Sequence, residues 1–181
     1  MRRVLFGLAA TLMLTGVAEA DDWAQWGGPK RDLIWRETGI VSKLPRNIAG
    51  AIPRMWTAKI GEGYAGPAIA NGRVYVMDKL SREEGRRQSE RVLCLDAETG
   101  LQIWKHEYEA IYKVSYPAGP RCTPVIDEGR VFTVGAMGHL FCLEEKTGEV
   151  IWQKNFVTDY GTRLPTWGMV ASPLVDGDQL I

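Results

Sequence analysis

Three cysteines, Cys94, Cys122 and Cys142, and two histidines, His106 and His139, carry the most reactive side chains of this 181-residue chain. A catalytic thiol needs a neighbouring histidine held by a third group, and zinc needs ligands at short spacing. The sequence sets neither histidine beside a thiol and shows no short ligand spacing, so no catalytic or metal-ligating set can be assigned. An odd number of cysteines leaves at least one unpaired within the chain. A second set interleaves aromatics with cations: Tyr64; Tyr112, Lys113, Tyr116 and Arg121; Tyr160, Arg163 and Trp167. Gathered on one surface, these would suit an anionic or planar ligand, or a partner surface. In the alternative reading the aromatics pack loops onto the fold and the cations are solvated.

Composition narrows the scaffold that could gather them. A hydrophobic content of 45% is that of a globular protein. Lys and Arg total 22, as do Asp and Glu, so the basic excess of a charge-driven nucleic-acid binder is missing. Nine prolines, 20 glycines and seven tryptophans fit many short strands joined by tight turns.

The first twenty residues read as a cleaved secretory signal: Arg2 and Arg3, an apolar run from Val4 to Ala18, then the small-x-small triplet ending at Ala20. The apolar run is shorter than the ~20 residues a membrane-spanning helix requires. The expected location is exported, periplasmic or extracellular, with no stable membrane span after cleavage and no nucleic-acid partner.

The main signal is an internal repeat. Trp56, Trp104 and Trp152 stand 48 residues apart, as do Gly100 and Gly148, Cys94 and Cys142, and Gly129 and Gly177. The interval from Gly72 to Gly129 is 57, which places an insertion of about nine residues in the charged segment 79–90, expected as a lengthened, solvated hairpin. In the second copy the turn signals predict strands at 123–126, 130–134, 139–144 and 149–156. Four antiparallel strands per period describe a propeller blade. The expected fold is an all-β, incomplete β-propeller of four-stranded blades. A lead segment covers 21–52 and the partial propeller 53–181, with blades at about 65–108 and 122–156 and a third from about 170. Residues 54–60 are expected as a lone outer strand carrying Trp56.

Residues 94–104, CLDAETGLQIW, and 142–152, CLEEKTGEVIW, resemble the tryptophan-docking motif of the PQQ-like (quinoprotein-type) β-propeller repeat, with Cys at a position usually Ala and Glu144 replacing Asp. The lead WAQWGGP, residues 23–29, is similar to the N-terminal stretch of exported bacterial members. In this reading Trp56, Trp104 and Trp152 are structural wedges between blades, with Gly100 and Gly148 at the turns. Cys94 and Cys142 take equivalent places in adjacent blades, too far apart for the roughly 7 Å Cα limit of a disulfide, and read as small buried hydrophobes.

Propellers close with four to eight blades, and this chain supplies about two and a part. It is therefore expected to be the N-terminal part of a longer protein, the rival being a short protomer that closes a ring head to tail. The tight turns share one face and the long connections the other. That loop face, with Tyr116, Arg121, Tyr160, Arg163 and Trp167, is expected to meet a protein partner or small ligand. The resemblance implies two functions. One is a non-catalytic binding or assembly scaffold, as in exported members that serve outer-membrane protein assembly. The other is a quinoprotein dehydrogenase using PQQ and calcium, with an Asp base and a vicinal disulfide. The chain contains no adjacent Cys-Cys pair and no assignable catalytic Asp, which favours the scaffold.

Overall fold

The computed structural model describes residues 21–39, 41–80 and 88–181, so the signal segment expected at 1–20 lies outside the described residues. β1 (Ala68–Ala70), β2 (Arg73–Leu80), β3 (Ser89–Asp96) and β4 (Gln102–Glu109) form one antiparallel meander. β5 (Val125–Asp127), β6 (Arg130–Val134), β7 (His139–Glu144) and β8 (Val150–Asn155) form the next. A short helix, α1 (Phe156–Tyr160), follows β8, and β9 (Val175–Asp176) pairs with β10 (Gln179–Leu180) as the inner hairpin of a third unit. The architecture is nearly all-β: two four-stranded propeller blades and the first two strands of another.

The repeat is exact in register. Cys94 pairs with Trp104 and Cys142 with Trp152, and the next rungs are Leu95 with Gln102 and Leu143 with Val150. Each outer strand thus carries one extra residue, Ile103 or Ile151, in a β-bulge beside its tryptophan; a bulge bends the strand and re-aims side chains. The turn before each bulge follows from its residues. Asp96 accepts from the backbone N–H of Thr99 at 2.8 Å and from its hydroxyl at 2.7 Å, and Gly100 takes φ 71°.

Two expectations are corrected. Residues 54–60 form no strand, because a ladder needs a partner and among the described residues no strand runs beside them. The ends of the 79–90 insertion are not solvated. The β2–β3 ladder continues through Asp78 with Arg91, Lys79 with Glu90 and Leu80 with Ser89, which buries Lys79, Ser89 and Glu90 against the rest of the molecule. Its middle, 81–87, lies outside the described residues.

In the second blade both faces of β6 and β7 are buried, while β8 is exposed. Val131, Phe141 and Leu143 pack with Tyr75, Met77, Val92 and Trp104 of the first blade. On the opposite side Phe132 and Val134 pack toward Leu180 of β10. Burying each such side chain contributes about 1.5–3 kcal/mol, so the inter-blade seams supply the core. The lead closes the inner edge: Trp23 exchanges backbone hydrogen bonds with Ile69 at 2.8 and 3.0 Å, Ala24 accepts from Ile126 at 2.9 Å, and the Arg31 guanidinium reaches Pro173 O at 3.1 Å.

Candidate functional site

The long connections meet on one face. Tyr64 and Ala65 donate their N–H groups to Pro120 O at 2.8 and 3.0 Å, tying the approach to β1 to the approach to β5. Ser115 donates to Thr166 O at 2.8 Å, tying the second connection to the third. At that crossing the rings of Tyr116 and Trp167 stack at 4.9 Å with 19° between planes, although 62% and 53% exposed. Tyr116 sits at φ 54°, a strained conformation for a non-glycine residue that the surrounding bonds must enforce.

Arg121 does not serve as a cation facing solvent. Its guanidinium donates to Gly119 O at 2.5 Å, Tyr116 O at 2.5 Å and Ser115 O at 3.2 Å, and lies 5.2 Å from the Tyr64 ring. These bonds turn its donors onto the loop's own carbonyls, so it shapes the loop. Tyr116, Arg121 and Trp167 are thus brought together with Tyr64. Tyr160 is placed apart, at the end of α1 against Phe156 at 6.4 Å, and Arg163 is exposed beyond the helix. The helix is set by Asn155, whose side-chain oxygen caps Val157 and Thr158, and is stopped by Gly161 at φ 65°.

The repeat tryptophans Trp56, Trp104 and Trp152 occupy the opposite face. The Trp56 indole N–H donates to Ala97 O and that of Trp104 to Glu145 O, both at 2.9 Å. Each ring covers the next turn so closely that a Cβ on Gly100 would lie 2.5 Å from Trp56, and one on Gly148 2.5 Å from Trp104. Trp152 stands 38% exposed beside Phe132 at 6.1 Å.

Two carboxylates missed in the sequence organise the seam between blades. Glu145, 7% exposed, accepts from Asn71 at 2.9 Å and the Tyr75 hydroxyl at 3.1 Å on the tight-turn side. Glu90, fully buried, accepts from Tyr108 at 2.5 Å, from the Tyr112 hydroxyl, and from the Ala136 N–H at 3.0 Å on the loop side. Burial, with the Glu90 charge beside them, pushes both phenols up, so they remain donors. In sequence Glu90 sits in the charged segment expected as solvated and Glu145 in a turn; the available signal for Glu90 was the strand pattern running on through 74–80 and 89–95.

The three cysteines are buried and free. Burial pushes Cys94 up to about 11 and Cys122 to about 12, which keeps them thiols at neutral pH. Among the described residues no group of three or more His, Cys, Asp or Glu side chains is placed to hold a metal ion. No helix among the described residues is long and apolar enough to cross a membrane.

A family model described as outer membrane protein assembly factor BamB matches residues 88–181, just over half of the chain. Outer membrane protein assembly factor BamB of Moranella endobia is 23% identical over 127 residues, which is 70% of this chain and 26% of that protein. Among solved structures, BamB from Moraxella catarrhalis superposes with a TM-score of 0.52 at 18% identity, over 73% of this chain and 38% of that one. Quinohemoprotein alcohol dehydrogenase from Comamonas testosteroni gives a TM-score of 0.45 at 21% identity over 67% of this chain and 17% of its own, too distant to bear on function. The chain thus spans about a quarter of the curated relative and about two fifths of the solved BamB. By the matched model and the repeat that runs through it, the chain belongs to the PQQ-like β-propeller repeat family of outer membrane protein assembly factor BamB.

Proposed function

We propose that this protein is an exported, periplasm-facing, non-catalytic scaffold that docks a protein partner on its loop face during assembly of outer membrane proteins. The observation that carries the reading is the Tyr116–Trp167 stack, two large aromatic rings held half or more in solvent on connections cross-braced by backbone hydrogen bonds. Aromatics fixed at low conformational cost are the side chains that dominate protein interfaces. The curated relative is an outer membrane protein assembly factor, which suggests the partner class.

The test is photo-crosslinking in the native host from a probe at Trp167 and a control probe at Glu98 on the tight-turn face. The expected result is an adduct with an outer membrane assembly component from Trp167 and not from Glu98. Equal labelling from both positions would reject a loop-face dock. The dehydrogenase alternative predicts instead that the purified full-length protein carries PQQ with calcium and oxidises alcohols in a dye-linked assay.

A further inference from the structure

We propose that Glu90 is a positioning residue, a buried carboxylate that holds the connection from Glu109 to Arg121 in the shape that presents Tyr116 on the loop face. The significance of that shape for docking rests on the function proposed above; the positioning itself does not.

Four observations converge. The β2–β3 ladder extends past the corresponding end of β6–β7, where pairing stops at Val134 with Leu140, and Glu90 belongs to that extension. A carboxylate with no exposure is tolerated only when its charge is matched by donors, and the donors here come from three separate places. Tyr108 is on β4, Tyr112 is on the connection, and the Ala136 N–H is in the β6–β7 turn of the neighbouring blade. The neighbour makes room for it: a Cβ on Gly135 would lie 2.1 Å from Glu90 Oε2 and 2.5 Å from the Tyr108 hydroxyl. Gly135 is not among the residues at positive φ, so its backbone conformation does not demand glycine, whereas the carboxylate does.

The rest of the extension grips the same connection. Gln88 accepts from Ala110 N at 3.0 Å through its backbone and from Tyr112 N at 3.1 Å through its side chain. Lys79, 5% exposed, donates to Pro117 O, pairs with Glu62 at 3.3 Å and lies 4.9 Å over the Tyr112 ring. Tyr112 is therefore clamped from both ends, its ring under an ammonium and its hydroxyl on Glu90. Four residues on, the connection turns through Tyr116 and meets Trp167. The extended β2–β3 ladder thus braces the connection through the Glu90–Tyr112 bond.

Hydrogen exchange by mass spectrometry on the full-length protein separates this from a general structural role. Tyr112→Phe and Tyr108→Phe each delete one hydroxyl to the same carboxylate, but only Tyr112 lies on the connection. The expected result is exchange in the segment 111–117 raised about tenfold or more in Tyr112→Phe, as for loss of a bond to a charged group, and changed less than about twofold in Tyr108→Phe. Unchanged exchange in Tyr112→Phe, or equal increases in both variants spread across β4 and β7, would overturn the assignment. The measurement needs no partner, so it stands or falls separately from crosslinking at Trp167.

Discussion

The two complete blades are copies at one end and different at the other. At the tight-turn end both place a tryptophan after a one-residue bulge, and each turn glycine lies under the tryptophan one repeat before it, Gly100 under Trp56 and Gly148 under Trp104. At the loop end the second blade closes with four residues, Gly135–Gly138, whereas the first runs three further rungs and buries a lysine and a glutamate there. The seam between blades is consequently sealed twice by unlike means. Trp104 and Glu145 seal the end common to both copies, and Glu90 seals the end where they diverge. The tight-turn end carries the periodicity because each blade must fit its neighbour there in the same way. The loop end is free to acquire particular features, and it is there that the exposed aromatics stand.

The largest effect should come from the shared end. Trp104 is 7% exposed and its indole N–H is satisfied by Glu145 O. Trp104→Ala should lower the stability of the full-length protein by about 3–5 kcal/mol, the usual cost of emptying a buried tryptophan site. Thermal unfolding would read this as a drop in Tm, with crosslinking at Trp167 retained below the new transition. Selective loss of crosslinking at an unchanged Tm would mean that the tryptophan belongs to the binding surface, and the contrast between the two ends would fail.

Much of this shared end was legible in the sequence, and little of the other. The spacing of Trp56, Trp104 and Trp152 with Gly100 and Gly148 is local information, repeated, and it located the turns at Gly100 and Gly148 and the β6 and β7 strands to the residue. The bulges at Ile103 and Ile151 were not legible, since an inserted isoleucine leaves the apolar pattern of a strand unbroken. Glu90 was read as solvated because charge predicts exposure unless neighbours cover it, and its cover comes from β4, the connection after it and the next blade. The loop-face set was legible as a list of residues but not as a site. Tyr116 meets Trp167 across an interval with no motif, and Arg121 turns inward for carbonyl groups that sequence cannot place.

A smaller effect should sharpen the difference at the loop end. Gly135→Ala adds one methyl group where Glu90 Oε2 and the Tyr108 hydroxyl already stand, and overpacking of this kind costs about 1–3 kcal/mol. The residue in the corresponding position of the first blade is Asp78, whose side chain instead meets Arg91 at 2.5 Å within its own hairpin. If Gly135→Ala left Tm unchanged, the inserted hairpin would not be pressed against the second blade, and the two ends of the seam would differ in sequence without differing in load.

The smallest effect concerns acidity and the histidines set between the same blades. His106 on β4 and His139 on β7 flank the rings of Tyr108 and Phe141, with centroids from 4.6 to 6.5 Å apart. Burial lowers the pKa of both; for His139 the Glu90 charge opposes that shift in part. Among the described residues His106 Nε2 and His139 Nδ1 have no hydrogen-bond partner, so neither imidazolium would find an acceptor there at these atoms without rearrangement. A folded-state pKa below the unfolded value of about 6.5 means that the unfolded chain takes up protons first as pH falls. Stability should therefore hold above about pH 6.5 and decline as pH drops through that value toward the lower folded-state pKa. A Tm series across that range should show the decline, and His106→Phe should flatten it more than His139→Gln, because no neighbouring carboxylate offsets the burial of His106. An equal slope in the wild-type protein and both variants would assign the acid sensitivity to groups outside the seam.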